Sequence, residues 1–198
     1  MLTDGYHAVP RGKVATVVTH LEMRSRPDAR DVPAPTGWRL ARIQKPTVPR
    51  YRALYTSVGA DWLWFGRMKL PDADIESVLS NSKVHVYTLQ KDGIDGALLE
   101  LDFRADGECE LVYFGLIPDL IGTGAGRFLM NAAVAAAWSE PIKRFHVFTC
   151  TLDSPQALGF YRRSGFVPIS QKVEVADDPR LTFGYDRGLA PHVPIFDP

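Results

Sequence analysis

Hydrophobic and polar positions along the chain follow two periods, and the changes between them mark out the elements. Residues 14–23 (VATVVTHLEM) are dense in β-branched side chains and predict a strand. Residues 38–44 (WRLARIQ) alternate apolar and polar and predict a second, short strand. Tyr51, Leu54, Tyr55 and Val58 fall at i, i+3, i+4 and i+7, so 50–58 reads as an amphipathic helix that stops at Gly59. Residues 71–79 (PDADIESVL) open with proline and early acids, both favoured in a first helical turn. Strand-like runs follow at 84–90, 97–103 and 110–117, with Asp92-Gly93 and Asp106-Gly107 in the turns between them. Asp-Gly pairs are strong hairpin signals, so these three strands are expected to be antiparallel neighbours. The run Gly122-Thr123-Gly124-Ala125-Gly126 then leads into an alanine-rich helix over 127–138. A strand at 144–151 precedes a helix at 154–164, with Ser154 as N-cap, Pro155 in the first turn and Gly165 past the end. A last strand spans 166–175, and the tail from 177 to 198 reads as irregular. The order β, β, α, α, β, β, β, α, β, α, β predicts an α/β fold, a mixed and mostly antiparallel central sheet with flanking helices.

Composition narrows the class. A chain of 198 residues with 45% hydrophobic content suits one domain with a sizeable core. Within it the strand at 13–23 precedes the elements at 38–175. Lys plus Arg and Asp plus Glu are both 23, so the net charge is zero, which argues against a nucleic-acid binder. Cys109 and Cys150 lack zinc-ligand spacing and are too few for a disulfide scaffold, so a reducing compartment fits and no metal is expected. The N-terminal residues do not read as a signal peptide, and the longest apolar run, 128–138, is far short of the ~20 residues that span a bilayer. The expectation is a soluble, cytoplasmic protein with no membrane or nucleic-acid partner.

The chemistry centres on the glycine run. The first N–H groups of a helix have no intrahelical partner and lie at the positive end of its dipole, so a strand–glycine–helix turn is an anion site suited to pyrophosphate. Gly122, Gly124 and Gly126 let backbone approach a ligand without a Cβ in the way. A P-loop requires Lys-Ser or Lys-Thr after the glycines, and none follows. A dinucleotide fingerprint has GxGxxG in a βαβ unit, whereas here the spacing is GxGxG after hairpins. Coenzyme A is the third reading.

The stretch FGLIPDLIGTGAGRFLM (114–130) resembles the acetyl-CoA-binding motif of the GNAT N-acetyltransferases: Pro118, Gly122, Gly124 and Gly126 match, while Ile121 stands where the family has Arg or Gln. TLDSPQALGFYRRSGF (151–166) resembles the family's later motif through Ala157, Phe160, Tyr161, Gly165 and Phe166, with Ser154 in place of the usual Asn. Both motifs stand in the family's order, and the chain looks most like bacterial members with an added N-terminal strand.

The resemblance implies a GNAT-like fold, acetyl-CoA as cosubstrate and an amine as acceptor, with direct transfer in a ternary complex. It implies that the coenzyme lies against the backbone of Leu116 and Ile117, against the turn and helix start Gly122, Thr123, Gly124, Ala125, Gly126 and Arg127, and beside Ser154 and Tyr161. Transfer to an amine needs a base for the ammonium, a hydrogen bond for the carbonyl and an acid for the departing thiolate. Tyr161 takes the acid's place in the family motif, and Glu110, at the start of the strand that ends in the glycine turn, takes the base's place. Glu108, two residues earlier on the same face, is an alternative base. Asp61, Trp62, Trp64 and Phe65 border the acceptor groove by resemblance, although core packing by two tryptophans is the better explanation of them. His20, His85 and His146 lack ligand-spaced partners. Arg162 and Arg163 are further candidates for coenzyme phosphates. A second class, a non-catalytic acyl-CoA-binding or sensing module, would need the glycine turn but neither Tyr161 nor Glu110. A dinucleotide-dependent oxidoreductase is disfavoured by the glycine spacing. Edge strands of such a sheet allow a homodimer.

Overall fold

The computed structural model of the chain describes residues 3–28 and 30–198. The strands are β1 (Lys13–Met23), β2 (Arg39–Arg42), β3 (Val84–Lys91), β4 (Ile94–Asp95), β5 (Ala97–Asp102), β6 (Glu108–Leu116), β7 (Arg144–Cys150) and β8 (Val167–Asp177). The helices are α1 (Val48–Gly59), α2 (Asp72–Ser80), α3 (Ala125–Ala137), α4 (Ala157–Arg163) and α5 (Pro179–Thr182). One sheet runs in the order β2-β3-β5-β6-β7-β1-β8, with the two-residue β4 paired to β3. Every pairing is antiparallel except that of β6 with β7. The N-terminal strand therefore enters the sheet between the two last strands, and β8 is left as an open edge with Val167, Ile169, Val173 and Val175 exposed.

The helices divide between the two faces as their apolar stripes require. α3 and α4 cover one face, where Ala125, Ala133 and Ala137 bring α3 close to Leu99, Leu101, Leu111 and Phe145. α1 and α2 cover the other, and α1 buries the predicted set Tyr51, Leu54, Tyr55 and Val58 against Val86 and Leu98. At the β3–β4 turn, Asp92 and Gly93 both take positive φ (49° and 81°), the type of turn an Asp-Gly pair supports.

Four expectations change. The strand expected at 38–44 forms only over Arg39–Arg42; Ile43 follows it into the α1–α2 core, its amide still donating to Val86 O at 2.8 Å. α3 starts at Ala125, two residues before the predicted helix, on a left-handed Gly124. Helix α4 begins at Ala157, and Gln156 rather than Ser154 is its N-cap residue; Ser154 heads the preceding turn, its carbonyl accepting from Ala157 N at 2.8 Å. The tail is not wholly irregular. Asp178 caps α5, and buried Arg180 bonds Asp178 and the carbonyls of Leu189 and Val193. This clamp folds residues 183–193 onto a third small core with Leu63 and Leu152.

Candidate active site

A bulge on β6 lies where the sheet opens. Glu100 faces Tyr113 and Leu101 faces Leu111, so Val112 is an extra residue on β6. The extra residue bends and twists its strand. Pairing of β6 with β7 stops at this point: the last pair is Leu111 with Val147, and the ends 112–116 and 148–150 diverge. The divergence leaves one side of β6 without a strand partner and forms a groove of about 480 Å³ through the sheet. Leu116, Gly122, Gly124, Gly126, Arg127, Ser154 and Tyr161 are among the residues that line it. A larger hollow of about 840 Å³ lies between the end of β2 and helix α2, away from the glycine turn.

The glycine turn has the geometry of an anion cradle. Gly122 (φ +82°) and Gly124 (φ +89°) occupy the left-handed region that disfavours side chains, and a Cβ on either would meet nothing within 4 Å. Backbone conformation therefore requires glycine there, not crowding by neighbours. Among the described residues the N–H groups of Gly122, Gly124 and Gly126 donate to no protein acceptor. Thr123 and Ala125 play structural parts: Thr123 Oγ1 donates to Leu120 O at 2.8 Å, and Ala125 is buried beneath the helix. Ile117 departs from expectation, because its amide donates back to Gly96 O at 3.0 Å and its side chain does not line the groove. Ile121, in the place of the family's Arg or Gln, is exposed at the groove wall.

Tyr161 sits under α4 with its ring against Phe114, Phe160 and Phe166, at centroid distances of 6.3, 5.9 and 5.9 Å. Its hydroxyl has no hydrogen-bond partner among the described residues, yet none of their side-chain polar atoms is both buried and unpaired. The hydroxyl therefore opens into the groove. Burial, with a smaller push from the Asp153 carboxylate, raises it well above the ordinary phenol range.

Glu110 lies on β6, paired in register with His146, and is outside the lining of the groove. Burial first, then the charges of Asp102 and Glu100, raise its carboxyl, partly offset by Arg67 and Arg104. Glu108 is committed elsewhere: it accepts from Arg144 at 3.1 Å and lies 3.5 Å from His146. Glu22 accepts from both Arg24 and Arg144. Glu100 is fully buried and bonded to Arg67 and to the Tyr51 hydroxyl, so it ties β5 to α1 and to the segment that follows it.

In the aromatic segment the packing reading holds for Trp64, and part of the segment also reaches the groove. Trp62, Trp64 and Phe65 line the groove, and Asp61 does not. Trp64 also packs between Tyr55 and Tyr113, at 5.5 and 5.2 Å, in a slot that a Cβ on Gly59 would fill at 2.4 Å. Its indole N–H donates to Asp153 Oδ1 at 3.1 Å, while Thr149 Oγ1 (2.7 Å) and Cys150 N (2.9 Å) donate to Oδ2. Trp64 thus bridges the diverging halves of the site. Sequence reasoning passed over Asp153; the only signal was its place directly before Ser154. Cys150 lines the groove as a free thiol raised by burial. Among the described residues no group of His, Cys, Asp and Glu is arranged to hold a metal.

A protein-family model described as "Acetyltransferase (GNAT) family" matches residues 54–166, more than half of the chain. No curated protein matches the sequence. Among solved structures, a GCN5-related N-acetyltransferase from Sphaerobacter thermophilus superposes with a TM-score of 0.59 at 12% identity, covering 87% of this chain and 53% of that one. A GNAT-family acetyltransferase from Novosphingobium aromaticivorans gives 0.58 at 16% identity, covering 85% and 68%. An aminoglycoside acetyltransferase from an uncultured soil metagenomic sample gives 0.53 at 15%, covering 65% and 87%. Identities this low establish a shared fold. Several of the matched proteins are longer, and the chain spans about half to two thirds of their length.

Proposed function

Since the chain belongs to the GNAT acetyltransferase family, we propose that it moves an acetyl group from acetyl-CoA to a primary amine, on a small molecule or a protein, by direct transfer in a ternary complex. One observation carries this reading: a single continuous groove joins the unspent N–H groups of the glycine turn to the unpaired hydroxyl of Tyr161. A cosubstrate with a pyrophosphate at one end and a reacting sulfur at the other suits that span.

The pyrophosphate lies against Gly122, Gly124 and Gly126, and the pantetheine arm runs along the strand edge that β6 loses at Val112. Free backbone N–H groups on that edge polarise the thioester carbonyl as it gains charge. The neutral amine attacks the carbonyl carbon. A C–N bond forms, the C–S bond breaks, and the sulfur leaves with the electron pair. Tyr161 donates its proton to that sulfur. Glu110 takes the proton released by the amine, through solvent, and burial makes its carboxylate a stronger base than an exposed glutamate. The two free thiols suit a reducing compartment, so the site of action is the cytoplasm. No helix among the described residues is long and apolar enough to cross a membrane.

Calorimetric titration with acetyl-CoA, with NADH as control, tests the coenzyme; an amine library read by thiol release then tests transfer. Acetyl-CoA binding with thiol release is expected. Binding without release for any amine would replace this reading with that of a binding module.

A further inference from the structure

Three arginines from three parts of the chain meet at one corner of the α3–α4 layer. Arg127, in the first turn of α3, donates from Nη1 to Ser164 Oγ at 2.8 Å and lies over the Phe160 ring at 4.8 Å. Arg30, from the connection between β1 and β2, donates from Nη2 to the carbonyl of Arg163 at 2.8 Å. The Asn131 side chain on α3 holds that connection in place by donating to Arg30 O at 2.6 Å. Both guanidinium groups thus converge on residues 163–164, and Arg163 itself ends α4. Among the described residues none of the three has an acidic partner within ion-pair distance. Their mutual repulsion is felt at Arg127, whose hold on its proton is weakened by burial and then by Arg30 and Arg163.

Like charges gathered without a counter-charge are unfavourable unless a ligand supplies it. The hydroxyl, carbonyl and ring that these arginines touch satisfy geometry but leave the charge uncompensated. Arg127 also lines the groove, directly after the glycine turn. The turn's N–H groups already account for a pyrophosphate, so the three guanidiniums are left for a second anionic group just beyond it. A phosphate monoester, with about −1.5 to −2 charges and three acceptor oxygens, is the group that several arginines hold best.

We propose that Arg30, Arg127 and Arg163 form a phosphate-monoester site that takes the 3′-phosphate on the coenzyme's ribose. The inference rests on the acetyl-CoA reading above and adds a specificity to it: this chain distinguishes coenzyme A from its 3′-dephospho form. It also explains how the site works with Ile121 in the place of a cationic or amide side chain, since the positive charge is moved from the turn to the α3–α4 corner.

The test compares calorimetric titrations of the full chain with coenzyme A and with 3′-dephospho-coenzyme A, which keeps the pyrophosphate. About tenfold tighter binding of coenzyme A is expected, with the ratio shrinking as salt is raised. Arg30→Ala with Arg163→Ala should bring the ratio close to one, and adenosine 3′,5′-bisphosphate should compete where the same concentration of inorganic phosphate does not. Equal affinities for the two forms in the unaltered protein would overturn the site, as would a tenfold ratio that survives the double substitution. Both outcomes leave the acetyl-CoA reading standing. Binding of neither form would overturn that reading and the site together.

Discussion

Replacing Tyr161 with phenylalanine removes one oxygen atom and little else. The ring keeps its contacts with Phe114, Phe160 and Phe166, and the hydroxyl has no protein partner to leave stranded. Folding stability is therefore expected to change by less than about 0.5 kcal/mol, the ordinary range for a substitution that breaks no network. Activity responds differently. The raised hydroxyl stays protonated through any practical assay range, so a proton is always present for the sulfur. Transfer from such a phenol to a thiolate whose ordinary pKa is near ~8.5 is uphill in water. It becomes feasible because the leaving sulfur is desolvated in the same groove, which raises its own proton affinity. Loss of an acid under these conditions is expected to lower kcat about 10²-fold, about 2.7 kcal/mol of barrier. The assay is steady-state thiol release with saturating acetyl-CoA, alongside urea unfolding of both proteins. A kcat within threefold of the unaltered enzyme, with stability unchanged, would refute the acid assignment and leave Tyr161 as a core residue.

Glu110→Gln should remove the acidic limb of the rate profile. A base works when deprotonated, so the unaltered rate rises with pH through a value above the ordinary carboxylate pKa, and the variant should show no such rise. The same shift bears on stability. A carboxyl whose folded pKa is raised costs stability as pH climbs from its unfolded value through its folded one. Glu110→Gln should therefore raise Tm at pH 7 and leave it unchanged near pH 4, which differential scanning calorimetry reads directly. Gly124→Val places a β-branched residue at φ +89°, at a backbone cost of at least about 1–2 kcal/mol. It should abolish acetyl-CoA binding in calorimetry while circular dichroism shows a folded protein. Glu100→Ala strands the Arg67 charge and the Tyr51 hydroxyl in the core, and urea unfolding should show a loss of about 3–5 kcal/mol.

Much of the site was legible along the chain because its determinants are local. The left-handed backbone at Gly122 and Gly124, the start of α3 behind them and the Gly165 turn after α4 are each set within a few residues, and short-range spacing reports them. Tyr161 was placed by its register in a motif that ends at that turn. The same locality explains the miss at Ser154: an N-cap signal scored there, but the chain makes one turn before the helix begins, and Ser154 serves that turn.

What the sequence by itself determined was the longer elements, the buried face of α1 and the glycine turn, since hydrophobic period and backbone conformation act between near neighbours. Only the tertiary structure decided what depends on distant partners. The extra residue at Val112 means nothing until β5 and β7 lie beside it, one register shifting and the other parting company. Glu108 and Glu110 look alike two residues apart, but Arg144 claims the first and leaves the second desolvated. Trp64 and Asp153, 89 positions apart, meet because the sheet divides between them, and Arg30 reaches Arg163 across 133. Long-range pairing selects one partner among many of equal local merit, and that choice is made by packing the whole chain at once.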